Sequence, residues 1–368
     1  MTRIPFSDPV HARAAAFAVQ RLGRDVVSVV EIPAGLGTRR FLRIAFADGE
    51  PATLIARVDD ATPIAPGAPA AEPPLEPIRR LLEQNGLPVP RRYAGDPIAG
   101  IEWLEDVGDL SLERAVRHAD ASTRQRLYSR AIDLIPSLQA IAPGPSPIAA
   151  FDRHLDAALI ASKARKWLDW TLPFALRRDA TPGERDTTSR AFAVVTKACE
   201  QAPARLAHRD YKAANLHLMP SGRDVEPRLV MIDLQGAFMA PPEYDLVCLL
   251  RDSHVRLPEP EIRAHLESVR PRLPDAPAAD EFDRRFDLLT LARVAKDLSH
   301  YVDAATRRGD RRYLPLLETG IDNLVAASAR AARRDGAVMG FAELVSSLRE
   351  DLLARARDES ERGPACAP

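Results

Sequence analysis

The chain has 368 residues, enough for two lobes that each bury a core. Hydrophobic content of 46% and charged content of 28% are ordinary for a globular protein, and a formal net charge of -1 excludes a global field that would draw it to nucleic acid or anionic lipid. No run approaches the ~18 apolar residues of a membrane span, the N-terminal residues lack an apolar h-region, and Cys199, Cys248 and Cys366 have no spacing that fits a disulfide or zinc framework.

Asp8-Pro9 reads as N-cap and first helical residue of an amphipathic helix reaching about Leu22. Two β-rich runs, Val26 to Ile32 and Arg39 to Phe46, are joined by Pro33-Ala34-Gly35-Leu36-Gly37-Thr38. A glycine-bearing hairpin lets backbone N–H groups approach an anion closely, which makes Gly35, Gly37 and Thr38 candidate phosphate contacts; an ordinary turn is the other reading. The third strand, Ala52 to Val58, carries Arg57, whose guanidinium can fork to anionic oxygens. Asp59 to Pro74 is Pro- and Ala-rich and aperiodic, hence a loop. The helix from Leu75 to about Asn85 ends at Gly86, and its Glu76 is a candidate partner for Arg57 or a plain surface residue. A short strand, Gly100 to Leu104, breaks into Glu105-Asp106-Val107-Gly108, which suits a hinge.

Beyond the hinge the character changes to helices. Apolar residues recur at helical spacing in Leu112 to Val116, Leu127 to Ile141 and Leu155 to Leu172, with Trp167 and Trp170 as core anchors. A long helix from Pro182 to Cys199 follows, then helices including Phe282 to Val302 and Tyr313 to Ala332. The expected division is an N-terminal lobe over 1–104, a helical lobe over 105–354 and a disordered tail over 355–368. Basic residues are almost all Arg, the first Lys being Lys163, a bias that reads as genome composition.

One stretch carries chemistry. His208-Arg209-Asp210-Tyr211-Lys212-Ala213-Ala214-Asn215-Leu216 is followed, eighteen residues after Asn215, by Asp233 at the end of an apolar strand. An Asp, an Asn five residues later and a second Asp after a strand are the equipment of kinase-type phosphoryl transfer. In that chemistry the first Asp takes a proton from the acceptor hydroxyl, and the Asn and second Asp hold magnesium against the nucleotide phosphates. Lys212 stands where a cation would neutralise the moving phosphoryl group, a solvent-facing Lys being the other reading. Arg251 and Asp252, on the next helix, would reach an acceptor or form a local ion pair.

These residues resemble the aminoglycoside phosphotransferase and choline kinase superfamily. Within it, HRDYKAANL with IDLQGA, PPEYDLVCLLRDS and RRGDRRYLPLL are similar to the bacterial sugar kinases that phosphorylate N-acetylmuramate and N-acetylglucosamine at the anomeric hydroxyl. The resemblance covers nearly the whole chain, and its specific part runs from Leu206 to Asp252. It implies an α+β, bilobal protein-kinase-like fold, with a small β-rich N-lobe and a large helical C-lobe. It also implies an ATP-dependent small-molecule kinase acting on a hydroxyl of a sugar or amino sugar; the composition adds the expectation of a cytoplasmic protein with no nucleic acid or membrane partner, its oligomeric state left open with a monomer favoured. Carried over by position, Asp210 is the base, Asn215 and Asp233 bind Mg2+, His208 packs beneath the loop and Asp245 anchors its backbone. Gly35, Gly37, Thr38 and Arg57 would meet the ATP phosphates, and the backbone of Glu105 to Val107 would read adenine.

Two departures from the pattern stand out. No Lys occupies the third strand, and Gln235-Gly236 follows Asp233 where many relatives carry another acidic residue. Gln235 can coordinate through its carbonyl oxygen or a water but adds no charge. An aminoglycoside or amino-alcohol kinase is the competing reading, yet a cationic acceptor calls for carboxylates. Here Asp252, Glu259, Glu261 and Glu267 are matched by Arg251, Arg256, Arg263 and Arg270, which favours a neutral or anionic acceptor. A non-catalytic nucleotide-binding module is a third reading, though it would need no proton acceptor.

Overall fold

Capping and alternation build the N-terminal elements much as their residues dictate. The Asp8 carboxylate accepts from Val10 N at 2.7 Å, Pro9 fills the first turn, and Gly23 at φ 63° closes helix α1 (Pro9–Leu22). Strands β1 (Val26–Ile32), β2 (Arg40–Phe46) and β3 (Thr53–Val58) follow, then helix α2 (Leu75–Gln84) and strands β4 (Arg92–Asp96) and β5 (Ile101–Glu105). The computed structural model describes residues 8–33, 39–59, 73–96, 100–220 and 226–361, so the turn with Gly35, Gly37 and Thr38 lies outside the described residues, as does Cys366.

The five strands form one antiparallel sheet in the order β1-β2-β3-β5-β4. Alternate residues of β2, Leu42, Ile44 and Phe46, point to one face, which α1 covers with Ala14, Phe17 and Ala18. Leu54, Ala56, Val58, Ile101 and Trp103 complete this core, and the Phe17 and Trp103 rings stack with centroids 6.1 Å apart.

Helices α3 (Leu112–Val116), α4 (Ala121–Ile132), α5 (Leu134–Gln139), α6 (Ala149–Asp152), α7 (Ala157–Lys166), α8 (Leu172–Leu176) and α9 (Pro182–Gln201) come next. A π-helical turn, Trp167–Thr171, joins α7 to α8 where the sequence predicts one continuous helix. Strands β6 (Arg205–Ala207), β7 (Leu216–Met219), β8 (Arg228–Met231) and β9 (Phe238–Ala240) precede helices α10 (Tyr244–Leu250), α11 (Glu259–Val269), α12 (Ala279–Arg307), α13 (Leu316–Ala332) and α14 (Met339–Glu361).

The chain divides into two compact units, Met1–Leu110 with His217–Ile232, and Ser111–Leu216 with Asp233–Pro368. In the first, strands β7 and β8 form a separate two-stranded sheet tied to N-terminal segments outside the five-stranded one: Leu218 N donates to Leu110 O at 2.8 Å and Met231 N to Pro88 O at 2.9 Å. In the second, α12 is buried on nearly every side and packs against α7, α9, α10 and α13. At Gly320, α13 comes so close that a Cβ would stand 2.7 Å from Leu298 Cδ2. Trp167 and Phe192 both meet Phe341 edge-on, at 6.0 and 5.8 Å, and Trp167 is wholly buried whereas Trp170 is half-buried. The tail expected to be disordered from residue 355 is helical to Glu361, because Leu348, Leu352 and Ala356 continue a buried stripe at helical spacing.

Candidate active site

Strands β6 and β9 pair antiparallel, Leu206 opposite Met239, and the loop from His208 to Asn215 leaves the end of β6. Its backbone is held from α10, where Asp245 accepts from the N–H of His208 at 2.7 Å and of Arg209 at 3.0 Å. Burial raises the Asp245 carboxyl, and His208 with these donors offsets part of that rise. Arg209 lies at φ 78°, a left-handed backbone that a bulky residue keeps only when its surroundings impose it. Its carbonyl accepts from Arg293 Nη1 at 3.0 Å and from Cys248 Sγ at 3.3 Å. Beneath the loop, His208 meets Tyr211 edge-on at 5.6 Å, and the buried Tyr211 hydroxyl donates to Ala131 O at 2.6 Å.

Asp210 Oδ1 accepts from the same Arg293 nitrogen at 3.0 Å. Arg293, only 6% exposed, also donates to Asp297 at 2.9 Å. Burial pushes the Asp210 carboxyl up, but Arg293, Lys296, Lys212 and Arg209 outweigh it and hold the group well below the usual carboxylate range. Asp210 is therefore an anion at neutral pH, with Oδ2 left over from the Arg293 contact.

The second Asp reaches the same place by a tight turn. Asp233 adopts φ 65° after β8 and opens the 3₁₀ turn Leu234–Gly236. A Cβ on Gly236 would fall 3.9 Å from Asp210 Oδ2 and 3.6 Å from Arg209 Cδ, ordinary contact distances that place this turn directly against the loop. Asn215, in the 3₁₀ turn Ala213–Asn215, donates its amide nitrogen to Asp210 O at 2.9 Å, and its amide oxygen has no protein partner among the described residues. An exposed carboxylate and a free amide oxygen on adjoining turns are donors that a hard divalent cation takes. Gln235 Nε2 donates to Asp233 Oδ1 at 2.5 Å, so the structure uses Gln235 to hold one oxygen of Asp233. The cluster Asp8, His11 and Glu31 fits no ion, because the Arg40 guanidinium sits in it at 2.6 Å from both carboxylates.

The other predicted residues divide by environment. Lys212 is half-buried, donates its N–H to Asp210 O at 2.8 Å and accepts from Asn215 N, and its charge bears on Asp210. Arg251 and Asp252 do not pair with each other. Arg251 is buried against Glu259, at 2.8 Å, and over the Phe286 ring. Asp252 accepts from Ala213 N at 3.2 Å and from His254 at 2.8 Å, which ties the Asn215 turn to the end of α10. In the first unit, Arg57 is buried between Asp59 at 3.0 Å and Glu102 at 3.3 Å, while Glu76 pairs with Arg79 at 2.6 Å. The suggested Arg57–Glu76 pair is thus not formed, since cross-strand Glu102 lies directly opposite Arg57. The Glu105 N–H is already given to Arg91 O at 2.8 Å, whereas the Val107 backbone makes no hydrogen bond among the described residues.

The profile of the phosphotransferase enzyme family matches residues 28–282. The chain belongs to the phosphotransferase enzyme family. An N-acetylmuramate/N-acetylglucosamine kinase of Caulobacter vibrioides is 31% identical over 276 residues, covering 68% of this chain and 69% of that protein. The protein of the same name from Pseudomonas aeruginosa is 27% identical over 280 residues, with coverage of 75% and 78%. Among solved structures, choline kinase LicA from Streptococcus pneumoniae aligns with a TM-score of 0.56 at 14% identity, over 89% of this chain and 100% of that one. An ADP-bound aminoglycoside phosphotransferase, APH(2'')-Ib, aligns with a TM-score of 0.52 at 13% identity, over 85% and 96%. The fold is the protein-kinase-like one of these neighbours, and the protein is a small-molecule kinase. No helix among the described residues is long and apolar enough to cross a membrane.

What sequence reading missed in this phosphotransferase is the cationic floor under Asp210. Arg293 stands alone in the buried run Leu288 to Ala295, and a single Arg in such a run is the signal that marks a buried ionic partner. Lys163, Lys166, Lys296 and His300, on α7 and α12, were likewise not singled out.

Proposed function

We propose that this kinase transfers the γ-phosphoryl group of ATP to a hydroxyl of an N-acetylated amino sugar, the anomeric hydroxyl in particular. The observation that carries the reading is the meeting of an anionic Asp210, the Asn215 turn and the Asp233–Gly236 turn around one imposed backbone bend. Relatives named as kinases of N-acetylmuramate and N-acetylglucosamine support the choice of acceptor.

In this reading Asp210 Oδ2 accepts a hydrogen bond from the acceptor hydroxyl and points its oxygen lone pair at the γ-phosphorus. Arg293 fixes the carboxylate by Oδ1, so little freedom is lost when the acceptor binds. Arg293 and the neighbouring cations keep the carboxylate ionised, so it orients the hydroxyl and takes its proton as transfer proceeds through a loose transition state. Lys212 bears on charge developing on the transferred group. Magnesium held by Asn215 and Asp233 would supply charge neutralisation at the phosphate oxygens. Gln235 keeps the Asp233 carboxylate in one orientation.

Mass-spectrometric screening of MgATP-dependent phosphorylation over amino sugars, aminoglycosides and amino alcohols tests the acceptor. The expected product is a sugar phosphate that has lost its reducing end, and turnover of amino alcohols alone overturns the reading. Asp210→Asn is expected to lower kcat by roughly 10²–10⁴-fold at temperatures where the variant remains folded. Wild-type turnover in that variant removes Asp210 from its role.

A further inference from the structure

The chain has only five lysines among 51 basic residues. One, Lys197, is exposed on α9. Of the other four, Lys212 is in the Asp210 loop, Lys296 shares Asp297 with Arg293 at 2.7 and 2.9 Å, Lys166 contacts His300 on the same helix α12 at 2.9 Å, and Lys163 lies 5.8 Å from the Tyr244 ring. In a protein that otherwise places Arg wherever a cation is needed, this gathering is not a matter of composition.

Lys163 is the anomaly. It is 5% exposed, yet its ammonium makes no hydrogen bond or ion pair among the described residues, and it lies 5.8 Å from the centre of the Tyr244 ring. Burial, then Lys296 and Arg293, drive it well below the ordinary lysine range. A buried cation beside other cations lacks the anion that normally accompanies it. The nearby carboxylates are already engaged. Asp297 is taken by Arg293 at 2.9 Å and Lys296 at 2.7 Å, Asp210 by Arg293 at 3.0 Å, and Asp303 by Arg307 and Arg308, each at 3.4 Å. Lys166 contacts His300 Nε2 at 2.9 Å, and burial together with Lys296 and Lys166 pushes that imidazole down to about 3, so it is neutral and accepts. The cluster on α7 and α12 therefore carries more positive than negative charge, on the same Arg293 that positions Asp210.

We propose that Lys163, Lys166 and Lys296 form an anion subsite beside Asp210 that selects an acceptor carrying a carboxylate over its neutral counterpart. The inference rests on Asp210 facing the acceptor hydroxyl, and it adds the residues that discriminate between acceptors. N-acetylmuramate and N-acetylglucosamine are the probe pair, because they differ by one carboxylate-bearing ether. Lys163→Met and Lys166→Met are compared with wild type in the full chain at saturating MgATP. The expected result is that kcat/KM for N-acetylmuramate falls about ten- to hundredfold, as for loss of a hydrogen bond to a charged group, and much further than for N-acetylglucosamine. The KM for ATP should not move. Equal losses on both sugars overturn the subsite, and a rise in the ATP KM reassigns the cations to the nucleotide phosphates. If wild type phosphorylates neither sugar, the proposed function fails on its own account. The subsite is then read from thermal protection of wild type and the two variants: protection by N-acetylmuramate but not N-acetylglucosamine, lost in Lys163→Met or Lys166→Met, supports it. Equal or absent protection overturns it.

Discussion

At Arg209 a left-handed backbone of φ 78° costs on the order of 1–3 kcal/mol, and the loop keeps it because Asp245, Arg293 and Cys248 hold the peptide groups on either side. Arg293 has a double attachment, to the Arg209 carbonyl and to the Asp210 carboxylate. Removing it leaves Asp210 and Asp297 short of their shared cation inside the protein. Arg293→Met should therefore lower unfolding free energy by about 3–5 kcal/mol in denaturant titration. Turnover should fall with it at temperatures where the variant remains folded, and kcat should fall more than the acceptor KM rises, because the loss is one of orientation. Unchanged stability and unchanged kcat together would deny Arg293 any positioning role. Asp210, Asn215 and Asp233 were legible in the sequence because their spacing is set by one loop and one strand. Arg293 lies 83 residues beyond Asp210, and no local pattern connects them. For Arg251 the sequence offered an acceptor contact or an ion pair, and an ion pair forms, with Glu259 eight residues away on the next helix.

Elements show the same division between local and distant causes. Helix α9 starts with a complete capping box, Thr181 accepting from Glu184 N while Glu184 accepts from Thr181 N at 2.7 Å. Arg178, and then the Thr181 groups, lower the Glu184 carboxyl to about 2 despite partial burial. A depressed folded-state pKa gives stability that is complete above the unfolded value near 4.5 and is lost as pH falls towards about 2. The stability gap between wild type and Glu184→Gln should accordingly be full at neutral pH and close across that window, as followed by urea midpoints. A gap independent of pH would place the effect elsewhere. Packing gives a second expectation: Gly320→Ala should destabilise by about 1–3 kcal/mol, because Leu298 occupies the space a methyl group needs. Strands with alternating apolar residues, such as β2, could be read directly. Strand β4, with the sequence Arg-Tyr-Ala-Gly-Asp, could not, since its place depends on pairing with β5 across a register shift. The π-helical turn after α7 escaped for a similar reason: Trp167 to Thr171 have helical periodicity, and their widened turn accompanies packing on α12, where the Thr171 and Ser299 hydroxyls meet at 3.0 Å.

For the whole molecule, the boundary drawn from sequence at residue 104 followed the change from strands to helices. The first compact unit extends to Leu110 and recruits His217–Ile232, which a linear reading assigns to the helical part. His217 Nδ1 lies 2.9 Å from Gly108 O and Arg228 pairs with Glu105 at 2.8 Å, contacts that only the folded chain brings together. A fragment ending at Leu110 loses the hairpin and should lack a cooperative thermal transition; one appearing in that fragment would show the hairpin to be dispensable. The gathering of lysines has a consequence for covalent chemistry. Amine-selective reagents discriminate little between sites in most proteins, but here Lys197 is an exposed internal standard and the four remaining side-chain amines belong to the Asp210 loop, α7 and α12. Under the proposed anion subsite, the labelling ratio of Lys166 or Lys296 to Lys197, read from peptide masses, should fall when the acceptor is bound, a readout that needs no knowledge of the product.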